Sequence, residues 1–557
     1  VSKFAQLHPG GAKVLEEPHT QTTEKAAVII RGVDCGSHSD LQEVGGKDVT
    51  EEFYELHRHD VLGKYERLKV GKLEGDHVKV TTGTKGVPFA EIPAFQGQES
   101  PFYTESHKKF MKERRVPVIP VQITMQLLTT QGIQDFVNAE LVPIAAAADL
   151  KGALDDEIVK ASKPGRSSEY PTRELQMPKL GQSGVMASRM GPGHWMDELG
   201  QLGISVPGGI NPKEIDYFHE SIAHQEIARI GLPGFVDGLG AGYLISAPAV
   251  YHFGSEPTKR KVCPQLLRGE KWTSGDERVA PKRGSALAIS EPFAGSDVAQ
   301  IKATATRTAD GKHFLVNGVK KWITEGAYSD YFVTAVRTGG PGGKGISLLL
   351  IERGDGVTTS QMKTTYSKCA GTALIVLDDV LVPVENLMGK ENEGFKLIMY
   401  NFNHERWFIV QNLLGQMRAA LTDAFMWARQ RKVFGKPLMD QAVIRNKLAS
   451  SLAAMESVQS FSEVLTYDMN KHGPVSERLS GPIAMLKFQA TRTAWKVADD
   501  TVQILGGRGV THTGMGSKVE GLKNFAKYAA VYGGSEEIMA DLTVKQAMRV
   551  FPKTARL

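Results

Sequence analysis

The order of helix-like and strand-like segments constrains the fold of this chain most. Residues 101–285 have apolar repeats typical of helices, residues 286–388 are rich in short β-type runs, and residues 389–549 return to long helices. Helices and strands therefore segregate along the chain and do not alternate, which disfavours a parallel sheet built from βαβ units. We predict an α+β multidomain protein.

Composition is ordinary for a globular protein of several domains. The chain has 557 residues, 41% hydrophobic and 23% charged, and no apolar run approaches the roughly 18 residues of a membrane span. The net charge of +5 permits an anionic ligand, while basic residues near the C-terminus are mixed with acids, so no nucleic acid is expected. The cysteines form no CxxC pair and fit a reducing compartment without a zinc or disulfide site.

Two polar strand ends in the middle segment carry the main functional signal. The apolar residues 286–289 run into Ser290-Glu-Pro and Ala-Gly-Ser-Asp, so a buried strand is expected to stop at a polar turn. A second strand ends in Trp322-Ile-Thr-Glu-Gly. We predict that the two ends lie together and offer backbone N–H groups, the Ser290 and Thr324 hydroxyls and an indole to one planar ring.

Both segments resemble the flavin-binding signatures of acyl-CoA dehydrogenases, and the resemblance extends from the linker at 76–100 to the C-terminus. It implies the acyl-CoA dehydrogenase fold: an N-terminal α-helical domain (101–285), a middle β-barrel (286–388) and a C-terminal four-helix bundle (389–549), followed by a tail (550–557). The segments Phe402-Asn-His-Glu-Arg-Trp and Gly533-Gly-Ser-Glu-Glu resemble those of the family branch that acts on long or unusual acyl chains. The chain also resembles fungal proteins in which a cytochrome b5 domain is fused to a dehydrogenase of that branch.

The resemblance also implies FAD as cofactor, held first by the middle domain. Ile289 and Ser290 would touch the isoalloxazine, and Ser296 would lie near the flavin phosphate or the CoA arm. Trp322 would pack on the flavin, and Thr324 would hydrogen-bond near N5.

A second set of cofactor residues matches contacts to the FAD of a neighbouring subunit. Arg431 and Phe434 match residues that clasp its pyrophosphate and adenine, and an arginine can bind phosphate bidentately. The set implies a homodimer or homotetramer. Glu325 and Glu537 depart from the residues that many relatives have. The remaining predicted FAD residues are Gln503, Gly506, Gly507, Ser535 and Glu537.

The catalytic base is expected at Glu405. Most relatives carry this glutamate after a tyrosine near the C-terminus, but here Tyr532 is followed by Gly533, which has no side chain. Glu405 interrupts an apolar helical stripe and matches the position from which isovaleryl- and long-chain-type enzymes supply the base. A carboxylate on a buried face should be paired or functional. The stripe consists of Phe395, Ile398, Phe402, Ile409 and Leu413.

Alternatives to this assignment remain open. Glu405 could instead form a structural salt bridge with Arg406 or a neighbouring helix, and Glu536 and Glu537 are fallback bases. The predicted substrate-binding residues are Ser296, Arg406, Tyr532 and Gly533.

The predicted reaction is α,β-dehydrogenation of an acyl-CoA thioester. Glu405 would take the α-proton, flavin N5 the β-hydride, and backbone donors would polarise the thioester carbonyl. Electron-transfer flavoprotein or O2 would accept the electrons. One alternative is a flavin oxidase of nitroalkane-oxidase type, whose aspartate base has no counterpart at the matching positions of this sequence. The other is a DNA-associated alkylation-response flavoprotein.

Residues 1–75 resemble a truncated cytochrome b5-like domain. His8 precedes a Pro-Gly-Gly turn, and His57 would be the second axial ligand of haem b, with His59 as competitor. The two histidines are much further apart in sequence than in that family, because residues 16–40 have no counterpart. A remnant that binds no haem is the alternative.

Residues 16–40, 116–134 and 272–284 have the character of inserts. We hypothesise retained introns, with genuine surface loops as the alternative. Removing 116–134 would leave one helix with Phe110, Phe136 and Leu141 in the core.

The two ends of the chain bear on its localisation. Because the chain starts with Val, we expect sequence before residue 1. The final Ala-Arg-Leu resembles a peroxisomal address, with chance similarity or a mitochondrial location as alternatives.

Overall fold

The computed structural model describes residues 87–111, 133–142, 144–145, 183–268, 284–365, 368–474 and 476–552. The predictions for His8, His57, His59, residues 16–40, most of 116–134 and 272–284, and the C-terminal Ala-Arg-Leu lie outside these residues. Within the described parts, no helix is both long enough and apolar enough to cross a membrane.

The N-terminal part of the described chain is helical, as predicted. Phe110, Phe136 and Leu141, the expected core contacts on either side of residues 116–134, are all buried. The second helix continues as a π-helical turn, Val137–Leu141. The α-helices are α1 (Glu105–Met111), α2 (Ile133–Phe136), α3 (Val185–Ser188), α4 (Trp195–Glu198), α5 (Tyr217–Ala228), α6 (Pro233–Gly238), α7 (Ala241–Phe253) and α8 (Glu256–Arg268).

The middle part is a mostly antiparallel sheet. Its eight strands are β1 (Ser285–Ala288), β2 (Thr304–Arg307), β3 (His313–Ile323), β4 (Tyr331–Arg337), β5 (Ile346–Glu352), β6 (Val357–Gln361), β7 (Ala373–Pro383) and β8 (Leu387–Met388). The order is β6-β7-β3-β2-β4-β5-β8, with β1 pairing to β4 in parallel. Because β6 and β8 each pair on one side only, the ladder among the described residues does not close into the ring of the predicted barrel.

The C-terminal part consists of long helices that enclose a shared core. The helices are α9 (Gly394–Gln430), α10 (Ala442–His472), α11 (Glu477–Leu505), α12 (Ser517–Val531) and α13 (Glu536–Val550), with the short strands β9 (Lys432–Val433) and β10 (Lys436–Pro437) after α9. The predicted helical segments 444–469 and 483–505 lie within α10 and α11. The core is continuous from the N-terminal helices into these helices, while the sheet also has a core of its own.

Helix α5 fixes the N-terminal part against α9, and every residue of α5 is buried. Its Ser221 hydroxyl donates to Gln411 Oε1 at 2.8 Å, and Gln411 Nε2 donates to Ser462 on α10 at 2.8 Å. The helices touch at Gly415, where a β-carbon would lie 2.3 Å from the Gln225 carbonyl oxygen. These contacts set the position of α9, which carries Glu405.

The close approach at Gly415 predicts that replacing this helical glycine with alanine destabilises the protein. Gly→Ala inside an exposed helix usually stabilises by about 1 kcal/mol. Gly415→Ala should instead lower the free energy of unfolding by about 1–3 kcal/mol, because the methyl group overpacks the α5–α9 contact. Urea unfolding of the variant measures this, and a stabilised Gly415→Ala protein would contradict the packing.

Candidate active site

Glu405 lies on the buried face of α9, with 6% of its surface exposed. Among the described residues it makes no ion pair, and its Oε2 has no hydrogen-bond partner. Burial raises the pKa of Glu405 to about 7, against the opposing charges of Arg406, Lys487 and His404. The salt bridge to Arg406 that the sequence left open is not formed, because the Arg406 Nε donates to the Gly533 carbonyl at 3.0 Å.

Gly533 faces Glu405 across the turn between α12 and α13. A β-carbon on Gly533 would lie 3.6 Å from Glu405 Oε1 and 2.5 Å from Ile409 Cδ1. The residue has a φ of +65°, in the left-handed region that favours glycine. The α9 side chains therefore fill the place that a side chain at position 533 would need.

The carbonyl groups of this turn are held by two buried cations. Lys487 Nζ on α11 donates to the Tyr532 carbonyl at 2.6 Å and also to the Gly534 carbonyl. With the bond from Arg406 to Gly533, three successive carbonyls are engaged. Burial lowers the pKa of Lys487 to about 7, as does the neighbouring Arg406.

A polar cluster anchors α9 beside the carboxylate. His404 Nε2 lies 2.8 Å from Glu220 Oε1 on α5, and His224 Nε2 lies 3.2 Å from the same oxygen. Although burial opposes it, the two imidazoles lower the pKa of Glu220. Burial alone would lower the pKa of His404, but the neighbouring Glu220 raises it above the usual value. The cluster fixes the backbone next to Glu405.

The two strand ends of the middle part meet as the sequence predicted. The Lys321 backbone N–H donates to the Ser290 carbonyl at 3.0 Å, so residues 289–290 lie directly beside the end of β3. Behind them the fully buried Lys320 donates to the Ile289 carbonyl at 3.0 Å and to Glu291 Oε1 at 2.8 Å. Burial lowers the pKa of Lys320 to about 8.

The surface at these strand ends suits a flat aromatic ligand. Trp322 is 48% exposed and has a φ of +62°. Thr324 and Ser290 are half-buried, whereas Ser296 is exposed. The structure thus brings Ile289, Ser290 and Trp322 to one edge, and Ser296 follows on the adjoining loop.

The second predicted set lies in the C-terminal part, at or after the ends of α9 and α11, and is largely open to solvent. Phe434 is 96% exposed with a φ of +52°, and Arg431 is half-buried. Gln503, Gly506 and Gly507 are exposed at the end of α11. An exposed phenyl ring, an arginine and bare glycine backbone are groups that can receive an adenine and a pyrophosphate.

Ser535 and Glu537 begin α13. The Ser535 hydroxyl accepts from the Ile538 N–H at 3.5 Å and caps the helix. Glu537 is exposed, and Glu536 is half-buried. Neither fallback base is as buried as Glu405.

One group of described residues has the composition of a metal site: His107, Asp216 and His219. The Thr104 N–H donates to His107 Nδ1 at 2.9 Å, so Nε2 carries the proton that bonds Asp216 Oδ1 at 2.9 Å. Asp216 also accepts the first N–H groups of α5 as its N-cap. Because the His107 nitrogen facing Asp216 has no free lone pair, the cluster is a helix cap that ties α1 to α5.

Three family models match this chain. They are the N-terminal domain (residues 193–270), the middle domain (286–380) and the C-terminal domain (392–548) of acyl-CoA dehydrogenases. The acyl-CoA dehydrogenase apdG of Emericella nidulans is 36% identical over 84% of this chain and 96% of that protein. The chain belongs to the acyl-CoA dehydrogenase family.

Further relatives agree with this membership. The acyl-CoA dehydrogenase AFT10-1 of Alternaria alternata is 32% identical over 83% of this chain and 96% of that protein. The structure of butyryl-CoA dehydrogenase from Megasphaera elsdenii superposes with a TM-score of 0.62 at 25% identity, over 78% of this chain and all of that one. Like other acyl-CoA dehydrogenase family members, the protein is an FAD-dependent oxidoreductase.

The family models start at residue 193. The cytochrome b5-like module and its haem therefore stay predictions.

Sequence reasoning missed two buried lysines of this acyl-CoA dehydrogenase site. Lys320 follows Phe314 and Val316 on the buried face of β3 at the strand period of two. Lys487 lies between Ile483 and Ala490 on the buried face of α11 at helical spacing. A lysine in phase with an apolar stripe was the signal available for both.

Proposed function

We propose that this protein dehydrogenates an acyl-CoA thioester between Cα and Cβ, with Glu405 as the base that removes the α-proton. The observation that carries the proposal is the buried carboxylate of Glu405 facing Gly533, which forms no ion pair within the part of the chain that the structure describes. A base works best when its pKa lies near the operating pH, and burial raises the pKa of Glu405 to about 7. The names of the fungal relatives support the same reaction class.

The residues at both predicted FAD sites fit the cofactor. Ile289, Ser290, Trp322 and Thr324 would hold the isoalloxazine end, with Ser296 near the phosphate or the CoA arm. Arg431, Phe434, Gln503, Gly506 and Gly507 would hold the pyrophosphate and adenine of a neighbouring subunit's cofactor. Bound FAD would supply the acceptor for the β-hydride.

The protein's own groups would prepare the substrate. Glu405 would hold the abstracted proton on a carboxylate oxygen, in a site from which burial excludes water. Arg406 and Gly533 would shape the wall against the acyl chain, and Tyr532 and Ser296 would contact the thioester arm. The proposal includes a homodimer or homotetramer, with electron-transfer flavoprotein or O2 as acceptor.

Anaerobic titration of the purified holoenzyme with saturated acyl-CoAs from butanoyl to palmitoyl tests the reaction class. At least one chain length should bleach the flavin absorbance stoichiometrically, because dehydrogenation reduces the flavin without oxygen. Nitroethane is the matched rival substrate. Bleaching by nitroethane alone would replace the proposal with a nitroalkane oxidase, and bleaching by neither substrate would refute dehydrogenase activity.

A further inference from the structure

The turn at residues 532–534 is unusual in how its backbone is bound. Gly533 and Gly534 both have left-handed φ values, +65° and +103°, and the turn presents its carbonyl groups to the protein interior. Lys487 binds the first and third carbonyls, and Arg406 binds the second. An ordinary β-turn often has one backbone hydrogen bond, from its fourth N–H to its first carbonyl.

Lys487 is buried, and no carboxylate of the described residues pairs with it. Its residue is 1% exposed, and among the described residues it makes no ion pair. A buried ammonium group is costly unless its charge is compensated. Carbonyl dipoles supply part of that compensation, and the remaining charge acts on nearby carboxyl groups.

Of the carboxyl groups that act on Lys487, the strongest is the proposed base, Glu405. Glu405 Oε1 and Lys487 Cε lie 3.6 Å and 3.9 Å from the same point, where a β-carbon of Gly533 would be. Glu405 and Lys487 therefore meet across the bare backbone of Gly533. The other charged groups near Lys487 are Arg406 on α9 and Glu536 at the start of α13.

We propose that Lys487 is a positioning residue for the Glu405 base, an inference that rests on the proposed function. By binding the Tyr532 and Gly534 carbonyls, it holds the glycine turn in place as the wall that keeps the Glu405 carboxylate facing the substrate. Lys487 acts through the turn and through its charge, and does not touch the reacting atoms.

Two consequences separate this role from a general contribution to folding. Loss of the Lys487 bonds should loosen the turn locally, because only the bond from Arg406 to the Gly533 carbonyl would remain. Loss of the positive charge should raise the pKa of Glu405 further, because Lys487 lowers it. Since the base acts when deprotonated, the acid limb of the rate profile should move to higher pH. Arg406, His404 and Tyr532 also face Glu405 and stay unchanged in the variant.

The first test is hydrogen–deuterium exchange of the holoenzyme, which needs no substrate. Lys487→Met should speed exchange of the amides at 532–536. Lys496→Met is the matched control, because Lys496 lies on the same helix, is only partly buried and pairs with Asp500 at 2.5 Å. Unchanged exchange at 532–536 in Lys487→Met would overturn the proposal, as would equal acceleration in the Lys496→Met control.

The second test is kinetic, with the acyl-CoA of the butanoyl-to-palmitoyl series that bleaches the wild-type flavin fastest. Lys487→Met should lower kcat by about 10²-fold, with little change in KM, since misplacing a base by about 1 Å has that effect. Lys487→Gln keeps a donor without the charge, so it should recover part of kcat and retain the shifted acid limb. This second variant also decides the matter if Lys487→Met does not fold.

The outcomes distinguish this proposal from the function it rests on. Wild-type kcat and an unshifted acid limb in both Lys487 variants would refute the positioning role while Glu405 remains the base. Full activity of Glu405→Gln would instead refute the base assignment, whatever the exchange of the turn.

Discussion

Glu405→Gln enzyme is expected to bind FAD like the wild type and to lose nearly all turnover. The substitution keeps the size and burial of the side chain but removes its ability to accept a proton. General base catalysis contributes about 10²–10⁴-fold, so kcat should fall by at least about 10²-fold. The measurement is steady-state turnover with an artificial electron acceptor, together with the flavin absorbance of each preparation.

Two controls make this result specific. Glu536→Gln removes the half-buried fallback carboxylate and should leave kcat near the wild-type value. Glu405→Asp retains a carboxylate drawn back by one methylene and should keep more activity than Glu405→Gln. If Glu536→Gln lost activity while Glu405→Gln kept it, the base would lie at the start of α13.

Lys320→Met is expected to have the largest effect on stability. Lys320 and Glu291 form a buried pair, 0% and 6% exposed, with 2.8 Å between Nζ and Oε1. Removing one member of a buried pair leaves the other charge uncompensated, which costs about 3–5 kcal/mol. The loss should also release residues 289–290 and weaken FAD binding, because Lys320 holds the Ile289 carbonyl.

A double variant separates the charge from the packing. Glu291 accepts the Lys302 and Ala303 N–H groups as well, and Gln at that position keeps an acceptor. Lys320→Met/Glu291→Gln should therefore recover much of the free energy of unfolding lost in Lys320→Met. Urea unfolding of the wild type, Lys320→Met, Glu291→Gln and the double variant measures the coupling between the two side chains. Simple additivity of the two single effects would contradict a buried ion pair.

The sequence predicted the elements well where periodicity was strong. The apolar repeats placed segments 444–469 and 483–505 inside α10 and α11, and β-type runs at 332–336 and 346–351 became β4 and β5. The stripe around Glu405 correctly predicted its burial, since a carboxylate in phase with apolar neighbours has no other face to occupy.

Long-range contacts were less accessible from the sequence. That Gly533 faces Glu405 follows from how α9, α11 and the α12–α13 turn pack, and no local pattern encodes it. The same holds for Lys487, whose partners are backbone carbonyls of any residue type. Whether the sheet closes into a barrel also depends on which strands pair, and the alternation of apolar and polar residues along the sequence does not specify that pairing.

The pH dependence of flavin reduction in a single anaerobic turnover tests the central claim most directly. The base is active when deprotonated, and the pKa of Glu405 is raised to about 7 by burial. In the wild type the rate constant should therefore rise with pH through a midpoint near 7, and Glu405→Gln should show a slow rate without that limb. An identical limb in Glu405→Gln and wild type would contradict the assignment of Glu405 as the base.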